Sequence, residues 1–330
     1  MKIEKSLLVA ALLVVSLCTA CTGQVNSSDA LFVLEKNYGF VHDVAFTNDG
    51  RKVVSGHNNG MIVIWNAQTG VEENSIDDHT DPVVLVCTQP DGNQIASIDS
   101  NANKIVHNLD TMNITWRNAR YDFHPCAIRF IANSDGIVTA VGNEISRWRF
   151  WLDERPESNY TLSRGGTWPS CFSHDCMHLA YSTGVDPSEP SCYREIRILE
   201  MASFDVVHEL HTEDDYPTSV TYSSDDVFVA AGLSEGMIMV WQLDPANRER
   251  MWKAHDGTVN DLVFLPDSRH ILSCGSEGLV LLSEIASGSV VREFSGHNGE
   301  VLSVDVSPDG LYGVSGGKDK TVRIWNLWEN

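Results

Sequence analysis

The 330-residue chain is short of positive charge: 23 Lys and Arg stand against 45 Asp and Glu, a formal net charge of -22. A phosphate backbone needs a basic footprint, so this balance excludes nucleic acid, and an anionic membrane surface, as partners held by net charge. Cysteine is sparse as well. Eight in 330 residues is far below a disulfide scaffold. No His-Glu-x-x-His and no Cys-x-x-Cys occurs, so zinc chemistry has no motif behind it. Gly316-Gly317-Lys318 is a turn without the helix that a nucleotide loop requires. No metal or cofactor is expected. Aromatic residues are plentiful: nine Trp, eleven Phe and eight Tyr exclude a chain that stays unfolded.

A long apolar run is also missing. Ser6 to Ala20 is 15 residues, short of the roughly 20 a spanning helix needs. Lys2 and Lys5 precede it and polar sequence follows, the pattern of a secretory signal. The expected organisation is an export signal over 1–20, a polar tether over 21–29 and one folded domain over 30–330. Leu17-Cys18-Thr19-Ala20-Cys21 resembles a bacterial lipoprotein box, with Cys18 where that pattern prefers Leu. The resemblance implies cleavage after Ala20 and lipidation of Cys21, placing the protein in the cell envelope, at the outer membrane if the cell is Gram-negative. Ordinary cleavage to a soluble exported protein, or an uncleaved anchor on an intracellular scaffold, are the alternatives.

The rest of the chain repeats. Short alternating segments rich in Val, Ile and Phe are punctuated by acidic turns at Asp49, Asp91, Asp135, Asp175, Asp225, Asp267 and Asp309, spaced 42, 44, 40, 50, 42 and 42. A period of about 40 to 45, with about four strands per unit, is the signature of a β-propeller. The last unit is the clearest. Val301 to Val306 alternates as a first strand, and Ser307-Pro-Asp-Gly310 is a tight turn. Leu311 to Ser315 and Thr321 to Trp325 follow as second and third strands.

Gly296-His297, Pro308-Asp309-Gly310 and the strand-end Trp325, together with the period, resemble the WD-repeat β-propeller family over residues 30 to 330. The likeness is strongest around Asp49, Asp267 and Asp309 and weakest around Asp135 and Asp175. No Trp-Asp dipeptide occurs; the third strands end Trp65-Asn66, Trp241-Gln242 and Trp325-Asn326. Too few residues follow Trp325 for a fourth strand. The resemblance therefore implies that Leu31 to Leu34 completes the last blade from the N-terminal end. The expected fold is all-β: a seven-bladed β-propeller of four-stranded antiparallel blades, closed by that strand.

His297, Ser315 and Asp319 fall in one repeat, a set that suggests a nucleophilic triad. The resemblance implies instead a structural hydrogen-bond chain with Trp325. Degraded copies fit that reading: His255, Ser273 and Glu277 with Ser283 in the Trp place, and Ser55, Asn59 and Trp65 with Asn37 in the His place. His174, Cys176 and His178 share a face if they form a strand, which suits a soft metal; the preferred reading is a turn over Ser173 to Cys176, with His178 following on the second strand. Cys87 and Cys171 align with Ala45, a small buried position in the resembled family. Asn26, Asn113 and Asn159 begin sequons that matter only in a eukaryotic secretory pathway.

In a propeller, loops entering the first strand and turns between the second and third crowd one face around the channel. Several here are acidic or aromatic: Asp78, Asp81, Tyr121, Trp168, Asp214, Asp215 and Tyr216. Acidic side chains beside aromatics suit a basic or polar protein segment. The expected function is a noncatalytic, monomeric protein-interaction scaffold, touching membrane only through its lipid anchor. An enzyme or small-ligand binder using the central channel is the alternative.

Overall fold

The computed structural model describes residues 30–90, 92–119, 124–131, 135–151, 155–162, 168–182, 195–213, 215–243 and 249–328. The expected signal and tether, with Cys21, lie outside them, as do Tyr121 and Asp214. The described chain folds into seven four-stranded antiparallel sheets. Each sheet is a blade, with strands a to d running outward from the channel. Strand a is Val41–Phe46 in blade 1, Val83–Thr88 in blade 2 and Pro125–Phe130 in blade 3. In blades 4 to 7 it is Ser170–Phe172, Pro217–Tyr222, Val259–Phe264 and Val301–Val306.

Blade 7 closes as the strand count requires. Its sheet takes Phe32–Glu35 as the outermost strand, with Leu34 opposite Val322 and Phe32 opposite Ile324. Leu34 packs into a core with Val41, Val314, Val322 and Ile324, so one strand joins both ends of the chain. Strand b of this blade runs Tyr312–Gly317, shifted past the expected Leu311 to Ser315, because Leu311 is exposed beside the turn.

The turn aspartates have a local reason. Asp49, Asp175, Asp225 and Asp309 each accept a 2.6 Å bond from a Ser or Thr hydroxyl two residues earlier. The cores lie between blades. Trp65, Trp148, Trp241 and Trp325 are buried on third strands, so Trp148 is the third-strand Trp of blade 3.

Six first strands carry a register shift at their second residue. An extra residue in a strand re-aims the side chains beside it. Here it leaves the first, fourth and sixth residues buried while the second, third and fifth reach toward the channel, as in Val41–Phe46 and Val259–Phe264. Blade-to-blade stitching uses these positions. Asp43 Oδ2 accepts from the Val86 amide at 2.7 Å, Asp261 Oδ2 from Val304 at 3.0 Å and Asp305 Oδ2 from Phe46 at 2.7 Å.

Candidate functional site

The suspected triad of blade 7 is a buried relay. Trp325 Nε1 donates to Ser315 Oγ at 2.9 Å, and Ser315 Oγ lies 2.7 Å from His297 Nε2. His297 Nδ1 lies 2.9 Å from Asp319. The consistent assignment is a neutral imidazole: Nδ1–H donates to the carboxylate and Nε2 accepts from the hydroxyl. Burial lowers the His297 pKa in keeping with that. Burial opposes ionisation of Asp319, but His297 and the Asn298 and Thr321 amides win and hold it well below the usual carboxylate range. A hydroxyl that already accepts an indole N–H inside the core is a packing element, since buried polar groups must be paired.

Blade 6 repeats the relay with His255, Ser273 and Glu277. Ser283, in the Trp place, is buried with its hydroxyl unpaired. Blade 1 departs from expectation. Trp65 Nε1 donates to Ser55 Oγ at 2.8 Å, but the imidazole is His57, 2.9 Å from that hydroxyl. Asn59 is no part of the chain; its side chain accepts from the Met61 amide in its own turn. The strand position of His57 replaces the missing entrance His. A further relay went unread in the sequence: His79 bonds Ser97 at 2.8 Å and Asp99 at 3.1 Å. His107 holds its Trp place and bonds Asp78 at 2.9 Å. The spacing of His79 and Ser97 equals that of His297 and Ser315, which was the available signal. Asp99 hid it by standing two residues after the Ser instead of four.

His174 and Cys176 lie in the turn after strand a of blade 4, and His178 opens strand b. His174 bonds Asp226 of blade 5, and the Cys176 thiol donates to the Phe130 carbonyl. Among the described residues no group of three His, Cys, Asp or Glu side chains is placed to hold a metal.

The entrance face brings several expected residues to one end of the ring. Trp168 is 61% exposed and Tyr216 47% exposed, on the entrances of adjacent blades 4 and 5. Phe40, exposed ahead of strand a in blade 1, joins this face and was not read from the sequence. The acids are partly committed. Asp78 holds His107, and Asp81 accepts from Thr80. Asp215 accepts from Ser234 Oγ and from the Tyr216 and Glu235 amides. That fixes the entrance of blade 5, so Asp215 positions Tyr216 more than it offers a free charge.

Trp168 also borders the entrance mouth of the channel, a cavity of about 420 Å³ with Asp43, Asp261 and Ser303 in its wall. Burial pushes the Asp43 and Asp261 carboxyls up to about 7, against the amide bonds that favour their charge. The exit mouth is a second cavity of about 530 Å³. Its belt is formed by the fifth residues of the six-residue first strands, with Cys171 in the corresponding place of the three-residue strand of blade 4. Most are small, including Ala45, Cys87 and Cys171; two are charged, Arg129 of blade 3 and Asp305 of blade 7. Burial pushes the Cys87 thiol up to about 12, which disfavours the thiolate.

Comparison with known proteins agrees with this geometry. The family model described as WD domain, G-beta repeat matches residues 29–66, 204–242, 247–282 and 288–326. A guanine nucleotide-binding protein subunit beta of Saccharomyces cerevisiae is 21% identical over 64% of this chain and 50% of its own length. Its counterpart in Oryza sativa is 22% identical over 72% and 53%. DDB1- and CUL4-associated factor 13 of Dictyostelium discoideum is 43% identical over 14% of this chain and 11% of its own. The chain thus spans about half or less of these relatives. Four repeat matches, the likeness to beta subunits and the seven-bladed ring together support a WD-repeat family for this chain.

Proposed function

We propose that this propeller is a noncatalytic protein-interaction scaffold whose entrance face receives a basic or polar partner segment. The observation that carries the reading is the pair Trp168 and Tyr216. Both are large, exposed aromatics set on adjacent blades of a closed ring. Rigid aromatic anchors supply most of the energy at protein interfaces. The Ser–His–acid sets support a noncatalytic role, because each is a buried relay repeated from blade to blade. Trp168→Ala with Tyr216→Ala should cut capture of the partner by at least about tenfold, the loss of one strong anchor. Undiminished capture by the folded double variant would remove the entrance face as the docking surface.

The site of action is the cell envelope, reached by export and lipidation at Cys21. This reading rests on the order Lys2 and Lys5, apolar run, Thr19-Ala20-Cys21. The relatives named above come from eukaryotes, so they lend it no support. Intact mass of the protein from its native membrane fraction decides it. Residues 21–330 plus a diacylglycerol or triacyl group is the expected species; a full-length mass rejects cleavage.

A further inference from the structure

Two carboxyls at the entrance mouth of the channel converge on one hydroxyl. Asp43 of blade 1, Ser303 of blade 7 and Asp261 of blade 6 belong to three consecutive blades and border the same cavity of about 420 Å³. Ser303 Oγ donates to Asp43 Oδ1 at 2.7 Å, and the same hydroxyl acts on the Asp261 carboxyl. A serine has one proton to give, so it serves one acid at a time. Among the described residues neither acid forms an ion pair. Burial first, and then a neighbouring carboxylate (Asp261 on Asp43, Asp305 on Asp261), oppose their ionisation and push both up to about 7. The pair therefore keeps a proton that isolated carboxyls would have lost.

The chain sets no cation against this pair. The wall of the cavity carries no Lys or Arg among the described residues, and its other titratable side chains are His42 and Cys126. His42 Nε2 lies 3.0 Å from Asn58 Oδ1. Behind the strands the thiols of Cys87, Cys171 and Cys274 feel the two acids, while Arg129 of the exit belt acts on Asp305 and Cys87. A carboxylate has about four acceptor places. Asp43 fills three, with the Val44 and Val86 amides and Ser303. Asp261 fills two, with the Leu262 and Val304 amides. Both residues are only half-buried, with surface open to the mouth. The places left on the two acids suit the three donors of a compact ammonium better than the flat fork of a guanidinium. Trp168, exposed at the rim of the same cavity, offers an indole along which an alkyl stem can lie.

We infer that the entrance mouth takes one lysine side chain of the docked partner, its ammonium held between Asp43 and Asp261 beside Trp168, in exchange for a proton released to water. The inference rests on the entrance face as the docking surface and names the partner group that the face selects. Its chemical basis is charge complementarity: two acids without a cation on one side, a cation with three donors on the other.

Calorimetric titration of the full chain with the peptide acetyl-Ala-Lys-Ala-amide, and with its Nε-acetyl-lysine counterpart, tests the assignment. At pH 8 the lysine peptide should bind at least about tenfold more tightly than the uncharged one, as a charge-assisted contact requires. At pH 6 the ammonium must displace a proton. The binding heat should then vary with the ionisation enthalpy of the buffer by about one proton per peptide, and the preference should shrink to about threefold or less. Asp261→Asn should remove both the preference and the proton release. The wild-type heats decide the exchange even where that variant does not fold. Equal affinities at pH 8, a preference at pH 6 without proton release, or a preference that survives Asp261→Asn in folded protein overturns the inference. Partner capture keeps the two readings apart: capture unchanged by Trp168→Ala with Tyr216→Ala removes the docking face, whereas the peptide titration alone decides the mouth.

Discussion

Ser315 is the residue on which the blade 7 relay turns, because its hydroxyl meets both Trp325 and His297. Ser315→Ala leaves an indole N–H and an imidazole nitrogen unpaired in the core. The expected loss is about 2–3 kcal/mol in urea unfolding, against about 1 kcal/mol for Trp325→Phe, which removes the donor along with its bond. Equal losses would contradict the relay. The titrating residues pull in two directions. His297 and Asp319 have lowered pKa values, so the unfolded chain binds more protons than the fold does. Their stabilisation is present above the unfolded values and is lost as pH falls, first through the imidazole range and then the carboxylate range. Asp43 and Asp261 are raised to about 7 from 3.8, so the fold binds more protons than the unfolded chain. Their contribution is full below about pH 4 and disappears as pH rises toward 7. Asp261→Asn should therefore be more destabilising at pH 5 than at pH 8, by on the order of 1 kcal/mol once water in the channel is allowed for. A difference that does not vary with pH would sink this account.

Among elements, the strand Phe32–Glu35 matters out of proportion to its four residues. It covers the outer edge of Thr321–Asn326, and an uncovered edge invites pairing with another chain. Leu34 is 5% exposed, so Leu34→Asp buries a charge without a partner and lifts the strand away. The expected loss is about 3 kcal/mol, with proteolytic nicking confined to the N-terminal strand at first. Nicking spread evenly over the blades would show that the strand is no clasp. Turns between the second and third strands brace the next blade in the same way. Gly236 has φ +81, and a Cβ there would lie 2.1 Å from the His255 carbonyl oxygen. The Gly236 carbonyl meanwhile accepts from the Ala254 and His255 amides at 3.0 Å each. Gly236→Ala should therefore cost about 2 kcal/mol or more in the same unfolding measurement, through both the backbone conformation and the clash. Elements of this kind were largely legible in the sequence. The repeat period and the turn aspartates are local signals, and the missing fourth strand of blade 7 was a matter of counting. The relays were legible only where the spacing held. Asp99 and His57 perform the expected roles from unexpected positions, because several backbone sites can bring a polar group to the same hydroxyl.

For the whole molecule, the proposed docking of a basic segment on the entrance face requires the ring and its charge to act together on association. The blades hold Trp168 and Tyr216 in place before a partner arrives, so little ordering entropy is lost at those anchors on binding. The net charge of -22 works at longer range, raising the encounter rate of a basic segment and repelling acidic ones. The entrance face itself is held in place by internal bonds, with Asp215 accepting from the Tyr216 and Glu235 amides. The two effects separate in kinetics. Raising ionic strength from about 50 mM to 500 mM shortens the screening length several-fold and should slow association by about tenfold, with little change in dissociation. Trp168→Ala with Tyr216→Ala should do the reverse, speeding dissociation while keeping the same salt dependence of association, because the aromatics are felt only on contact. Surface-plasmon kinetics with the partner immobilised measures both. If the aromatic variants flatten the salt dependence, or if salt acts on dissociation alone, the field of the ring does not steer its partner and the entrance face binds by contact only.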